Sequence, residues 1–257
     1  MTILNACAEN LQLIMKITNV GTRCVVFSFD DIEDASPTNV LVILGIKHVF
    51  ICDTYLGPDV MARIHDEVFQ KYSKESWIAF NSHADWDHHW GNCFFKDGTI
   101  LATELTRKAI AANGASELAD NNKYAAGAVE ICPPNEIFSE ALRFPNEGIE
   151  FFSSPGHTPD SASCYDALDK VLFTGDNVES PIPSLTSSDI DTYVHTLGTY
   201  LTYDIDHVVA GHGIILATRV LIEDNLAYLV SLQHNTVEPQ EDSRWKAIHE
   251  QNMQLLR

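Results

Sequence analysis

The 257-residue chain is 45% hydrophobic and 20% charged, enough apolar material for a sizeable core, and it reads as a single domain over residues 1–257. Sixteen basic residues against 36 acidic ones leave a formal charge of −20, a field that repels a phosphate backbone and gathers cations, which argues against nucleic acid as a partner. Six scattered cysteines (Cys7, Cys24, Cys52, Cys93, Cys132, Cys164) without a C-x-x-C pair, no apolar run long enough to span a bilayer, and an N-terminus interrupted by Glu9 and Lys16 predict a cytoplasmic protein with reduced thiols and no membrane contact.

In chain order, residues 11–17 (LQLIMKI), 22–29 (TRCVVFSF), 39–44 (NVLVIL) and 48–55 (HVFICDTY) are rich in β-branched and apolar residues and are separated by turn formers, so the first part reads as a β-sheet. Residues 57–73 carry Val60, Ile64 and Val68 at helical spacing, and 76–83 (SWIAFNSH) return to a short strand. The alanine-rich stretch from Thr103 to Ala128 reads as helical. Residues 140–157 give two strands broken at PNEG, and 170–178 (KVLFTGDNV) give another. A helix over 188–203, a strand at 206–213 (DHVVAGHG) and a helix over 217–233 follow. The tail from Glu238 to Arg257 is charged and reads as a last helix or a poorly ordered end. Two strand-rich halves point to an α+β layered fold rather than a doubly wound sheet.

Four strand ends concentrate the chemistry: SHADWDHH from His83, PGHTPDS around His157, TGDN around Asp176 and AGHG around His212. A histidine beside glycine is by itself a weak signal, and an aspartate in a Gly-Asp turn is commonly a turn former. All four standing where loops leave strands is stronger, because such loops share one cleft. The segment from His83 to His89 alone holds three histidines and two aspartates.

The order of these motifs, preceded by Asp53 in ICDTYLGP, resembles the metallo-β-lactamase-fold superfamily over most of the chain. The resemblance implies a four-layer αββα sandwich with a metal site at one edge of the sheets. It also implies two divalent ions, zinc first, with iron or manganese as alternatives. His83, Asp85 and His157 would hold one ion, Asp87, His88 and His212 the other, and Asp176 would bridge them. Asp53 would lie behind the site and orient ligands by hydrogen bonds. The implied chemistry is attack of a metal-bound hydroxide on a small ester, lactone, amide or phosphoester, with Asp87 orienting the nucleophile.

One position departs from the usual His-x-His-x-Asp-His pattern: Asp85 stands where most hydrolytic members carry histidine. Two divalent ions would then be balanced by Asp85, Asp87, Asp176 and one hydroxide, giving a near-neutral cluster that favours harder ions. The runner-up is therefore a non-haem diiron oxidoreductase resembling the flavodiiron core, whose motif has a glutamate at this position. Those enzymes append a flavodoxin-like domain, for which the 45 residues after His212 leave no room. A non-catalytic metal-binding relative ranks third. Neither a basic patch for nucleic acid nor an export signal is visible, so a small-molecule substrate is expected, and the oligomeric state stays open. His89 reads as a surface or supporting residue outside the ligand count. Trp86 and Trp90 read as core or as an apolar wall, and Arg107, Lys108 and His195 as solvated helix residues. Substrate recognition is expected from the acidic loop FDDIEDASPTN and from a helical insertion over residues 102–130 placed to cover the cleft.

Overall fold

The computed structural model describes residues 15–30, 37–73, 76–238 and 240–257. Strands β1 (Met15–Val20), β2 (Cys24–Phe29), β3 (Thr38–Leu44), β4 (Val49–Cys52), β5 (Trp77–Phe80), β6 (Thr99–Thr103) and β7 (Glu136–Phe138) form one sheet in that order. It is antiparallel from β1 to β4 and parallel from β4 to β7. The second sheet runs β12 (His207–Val209), β11 (Val171–Phe173), β10 (Ala162–Asp166), β9 (Ile149–Ser153), β8 (Ala141–Phe144), with β12 parallel to β11 and the other neighbours antiparallel.

Side-chain alternation divides each strand between two cores. Cys24 and Val26 of β2, Leu41 and Ile43 of β3, and Phe50 and Cys52 of β4 face the second sheet, where they meet Phe151, Cys164, Val171 and Phe173. Their neighbours Val25, Phe27, Val40, Val42, Val49 and Ile51 face outward and are covered by α1 (Pro58–Tyr72). On the far side, Phe152, Leu172 and Val208 are covered by α4 (Ile190–Tyr200), α5 (Val220–Gln233) and α6 (Ser243–Leu255). The result is an αββα sandwich. Burial on both faces explains why these strands read as continuous apolar runs.

Helix α1 shows how local signals place a covering layer. Proline occupies its first turn beside Asp59, which suits the positive end of the helix dipole, and Lys71 lies in its last turn. Val60, Met61, Ile64 and Val68 form its buried stripe, and the helix stops where Ser73 turns left-handed at φ 52°.

Three strands lie where none is expected from sequence: β6, β7 and β10. The stretch over 102–130 also differs from expectation, because it is only partly a lid. Helix α3 (Glu104–Asn121) is followed by a segment whose Ala126 amide donates to Leu56 at 2.9 Å and whose carbonyl accepts from Asp59 at 3.1 Å, so it clamps the start of α1. The tail forms helix α6. Residues 11–14 of the expected first strand and 31–36 of the acidic loop lie outside the described residues. No helix among the described residues is long and apolar enough to cross a membrane.

At one end of the sandwich the two sheets are clipped together by polar side chains. Arg23, in the turn just before β2, pairs with the buried Asp166 at the end of β10, with Nε 2.9 Å from Oδ2, and its Nη2 also donates to the carbonyl of Glu147 at 2.7 Å. Asp169 accepts from the amides of Thr22 and Arg23, each at 2.7 Å. Glu147, 5% exposed, accepts from the amides of Ile46, Lys47 (2.9 Å) and His48 (3.2 Å). Burial alone would raise the Glu147 pKa, but the amide donors of Lys47, Ile46 and His48 outweigh it and hold the carboxyl below the usual glutamate range. A depressed folded-state pKa contributes stability above the unfolded value of about 4.5, lost as pH falls through the folded value. Glu147→Gln is therefore expected to cost about 1 kcal/mol at pH 7 in urea unfolding, with the difference from the parent shrinking between about pH 5 and pH 3. A pH-independent difference would contradict this role.

Candidate metal centre

At the other end of the sandwich, chain segments leaving both sheets meet. β4 ends at Asp53, held left-handed at φ 61°. Its carboxylate accepts from the amide of Ser82 at 2.7 Å and the Ser82 hydroxyl at 2.8 Å, and it lies 2.8 Å from His88 Nδ1. β5 runs into Asn81, Ser82 and His83, and the chain then turns through the short helix α2 (Trp86–His89). This turn is fastened by a buried amide pair: Asn92 donates to Asn81 at 2.8 Å, and Asn81 donates back at 3.0 Å. The second sheet supplies His157 after β9, Asp176 after β11 and His212 after β12.

Asp176 Oδ2 is the shared point. It lies 3.8 Å from His83 Nε2, 3.5 Å from His88 Nε2 and 3.4 Å from His212 Nε2. On one side, Asp85 Oδ2 is 3.4 Å from both His83 Nε2 and His157 Nε2. On the other, Asp87 Oδ2 is 3.1 Å from His212 Nε2 and 3.7 Å from His88 Nε2. Two donors each about 2 Å from one ion at a tetrahedral angle stand roughly 3.3 Å apart, so these spacings suit divalent metals. Both groups, His83–Asp85–His157 and Asp87–His88–His212, have donor atoms within 4.8 Å of one another.

The outward-facing nitrogen of every imidazole is already engaged. Nδ1 of His88 meets Asp53, that of His83 meets the Ser82 hydroxyl at 2.9 Å, that of His157 meets the Ser184 carbonyl at 3.2 Å, and that of His212 meets the Thr38 hydroxyl at 3.3 Å. All four rings are thus turned with Nε2 inward, as ligating histidines require. His83 Nε2 and Asp176 Oδ1 are buried with no hydrogen-bond partner. Orphaned buried polar atoms are costly, and a cation between them would satisfy both. The donor set therefore fits divalent metal.

Electrostatics point the same way. Burial opposes charge on Asp85, Asp87, Asp176, His88, His157 and His212, yet these groups hold one another ionised. Asp176 and Asp85 are pushed well below the ordinary carboxylate range by the facing histidines, and Asp87 is lowered by His88 and His212. Against its own burial, His157 is raised to about 10 by Asp85 and Asp176, and His212 to about 9 by Asp176 and Asp87. The carboxylates thus draw positive charge into the pocket.

The remaining residues singled out from sequence fall elsewhere. His89, the last residue of α2, is 1% exposed, with Nε2 3.9 Å from Glu117, so it is buried and not a surface residue. Trp90 is fully buried in the core beneath α1, while half-buried Trp86 stacks on Tyr124 at 5.4 Å beside the ligand turn. Arg107 and Lys108 pair with Glu104 at the exposed start of α3. His195 lines a different cavity, with Asp191 and Phe152. Thr38, Ser82 and Ser184 escape sequence reading, since a hydroxyl or backbone carbonyl behind a histidine carries no motif.

A family model for the metallo-beta-lactamase superfamily matches residues 77–212, more than half of the chain. The chain belongs to the metallo-beta-lactamase superfamily. Solved structures of three metallo-beta-lactamase-like chains share the fold. The structure titled VMB-1 superposes with a TM-score of 0.68 at 19% identity, covering 85% of this chain and 98% of that one. A metallo-beta-lactamase from Hirschia baltica gives 0.66 at 17%, covering 83% and 96%. DIM-1 metallo-beta-lactamase gives 0.64 at 19%, covering 85% and 98%. Superfamily membership supports a metal-dependent hydrolase in general, on a fold that generally binds divalent metals.

Two glycines let the second sheet approach the cluster. Gly175 turns left-handed at φ 52°, and a Cβ on Gly211 would stand 2.2 Å from Asp176 Oδ1 and 3.2 Å from the backbone of Gly175. Gly211→Ala is expected to destabilise the fold by about 1–3 kcal/mol in urea unfolding. Gly198→Ala in α4, with nothing within 4 Å of the added methyl, is expected to be neutral or stabilising. Equal effects of the two substitutions would contradict the close approach.

Proposed function

We propose that this chain is a hydrolase carrying two divalent ions, zinc by preference, and that it acts on a small ester, lactone, amide or phosphoester. His83, Asp85 and His157 hold one ion, Asp87, His88 and His212 the other, and Asp176 is shared. The observation that carries this reading is the convergence of three inward Nε2 atoms, those of His83, His88 and His212, on Asp176 Oδ2, with His83 Nε2 and Asp176 Oδ1 left without hydrogen-bond partners. Bound divalent ions would supply an acidified water and polarise the electrophilic oxygen of the substrate.

The protein's own groups do the positioning. Asp53, holding both Ser82 and His88, locks the two ligand-bearing turns of the first sheet to each other. Asp87, whose side chain is 13% exposed, reaches the pocket from the open side and orients the attacking water. Asp85, at 47%, is the most open carboxylate of the cluster, so the substrate enters past it. The Trp86–Tyr124 stack beside it offers an apolar wall that excludes water from the substrate's carbon skeleton.

A second reading is favoured by one observation. Asp85 makes the donor sets on the two sides alike, two imidazoles and one carboxylate each, a set that suits iron or manganese and hence redox chemistry. Elemental analysis of protein purified without added metal separates the two: two zinc ions per chain with esterase or lactonase turnover support the hydrolase, and an iron pair that reacts with dioxygen supports the oxidoreductase. His157→Ala and Asp176→Ala are expected to lose metal and turnover while circular dichroism stays folded. Unchanged metal content in both would refute the ligand set. Asp85→His adds one unit of positive charge to the cluster and is expected to move metal content toward zinc and to raise hydrolytic rate. Identical metal uptake and rate would remove the charge argument.

A further inference from the structure

The turn that carries Asp176 holds a second buried residue beside it. Asn177 is fully buried, and its side chain reaches the loop that leaves β9 and bears His157. Its Oδ1 accepts from the His157 amide at 2.7 Å, while its Nδ2 donates to the Ser154 carbonyl at 2.7 Å and to the Tyr200 hydroxyl at 2.8 Å. The Asn177 carbonyl accepts from the Tyr193 hydroxyl at 3.0 Å, so the same residue ties the loop to α4. Gly156 permits the close approach, because a Cβ there would stand 2.6 Å from Asn177 Oδ1 and 2.6 Å from the Tyr193 ring. A carboxamide alone suits this position: an ionised aspartate has no proton for the Ser154 carbonyl, and an aliphatic residue would leave the buried His157 amide unpaired.

The ligand-bearing loops of the second sheet differ in what holds them. Main-chain bonds fix the Asp176 turn, the Thr174 amide donating to Val209 at 3.0 Å and the Gly211 amide to Gly175 at 2.8 Å. Main-chain bonds also pair the His212 loop with the first sheet, from the Asn39 amide to Gly211 and from the Gly213 amide to Pro37, each at 2.7 Å. The His157 loop is different. The Ser154 and Gly156 amides donate within the loop itself, to Ser161 at 2.9 Å and Thr158 at 3.1 Å, and the His157 backbone is held by side chains, Asn177 at its amide and the Thr186 hydroxyl at its carbonyl. Resting on the two-ion ligand sets above, we propose that Asn177 is a positioning residue for one ion alone. It fixes His157 relative to Asp176, so the ion of His83, Asp85 and His157 depends on it and the ion of Asp87, His88 and His212 does not.

The test is zinc binding to the metal-free protein, measured by competition with a chelator of known affinity. Long-range proton–nitrogen correlation spectra of the histidine rings assign each constant, since His83 and His157 answer to one ion and His88 and His212 to the other. Asn177→Ala is expected to weaken the His157 side about 10-fold or more and the His212 side less than about 3-fold. Tyr200→Phe keeps the ring and removes one acceptor of Asn177 Nδ2, so it carries the test if Asn177→Ala does not fold, with a loss of about 2-fold to 4-fold on the His157 side only. Asn39→Ala removes the side-chain bonds to Ala210 and Gly213 on either side of His212, and is expected to leave the His157 side within about 3-fold of the parent. The inference is overturned if the parent binds no zinc on the His157 side, if Asn177→Ala and Tyr200→Phe leave that side unchanged or weaken both sides alike, or if Asn39→Ala weakens it as much as Asn177→Ala does. A parent that takes up zinc on the His157 side alone, more weakly in Asn177→Ala, sinks the two-ion reading and leaves this inference standing. One that binds two ions, with both constants unchanged in Asn177→Ala, sinks this inference alone.

Discussion

Carboxylates brought side by side repel one another, and this molecule brings Asp87 and Asp176, with the more open Asp85, into one pocket with four imidazoles. Such an arrangement persists only if positive charge sits among them. Protons supply it in part, as the raised values at His157 and His212 record. Divalent metal supplies it better, because one ion satisfies several donors at once, including the unpartnered His83 Nε2 and Asp176 Oδ1. The electrostatic demand of this pocket is the constraint that the surrounding structure serves.

The sandwich meets that demand by clamping its two sheets at both ends. Near the pocket, the Ala162 amide of the second sheet donates to the Ser82 carbonyl of the first at 2.7 Å, and Asn39 donates through its amide to Gly211 at 2.7 Å and through its side chain to Ala210 at 2.9 Å. Four of the seven candidate ligands (His83, Asp85, Asp87, His88) follow the first sheet and three (His157, Asp176, His212) the second, so these bonds set the distance between the two parts of the site. At the opposite end, Arg23 with Asp166 and the carboxylates Glu147 and Asp169 hold the turns together. Between the two clamps the packed aromatic rings of Phe50, Phe80, Phe144 and Phe151 resist sliding of one sheet over the other. Rigidity in the core thus becomes fixed geometry at the rim.

Much of this is legible in the sequence because the relevant signals are local. The runs around Val25, Val42 and Ile51 announce strands covered on both faces, and Val60, Ile64 and Val68 announce the helix that covers them. The histidines and aspartates stand at strand ends, and the loops carry all of them inward. What escapes is whatever depends on partners distant in sequence. β10 (ASCYD) is too small and polar to read as a strand and is held by pairing on both sides with β9 and β11. β7, three residues long, exists because β6 is beside it. The carbonyl of Ser184 behind His157 has no side-chain signature. Asn177 stands in a Gly-Asp turn whose sequence does not show that its side chain reaches the His157 loop. His89 reads as a surface or supporting residue because the ligand count is complete without it, and only the fold shows α3 closing over it, with Glu117 3.9 Å from its Nε2.

The central claim is that Asp176 is shared by two ions, one on each side. Anomalous diffraction from crystals grown with zinc, iron or manganese tests it most directly. The account predicts two anomalous peaks roughly 3.5–4 Å apart, one within about 2.3 Å of ligand atoms from His83, Asp85 and His157, the other within the same distance of Asp87, His88 and His212. Crystals soaked at saturating metal that show no peak in this pocket, with Asp176 and the four imidazoles in their present positions, would contradict it.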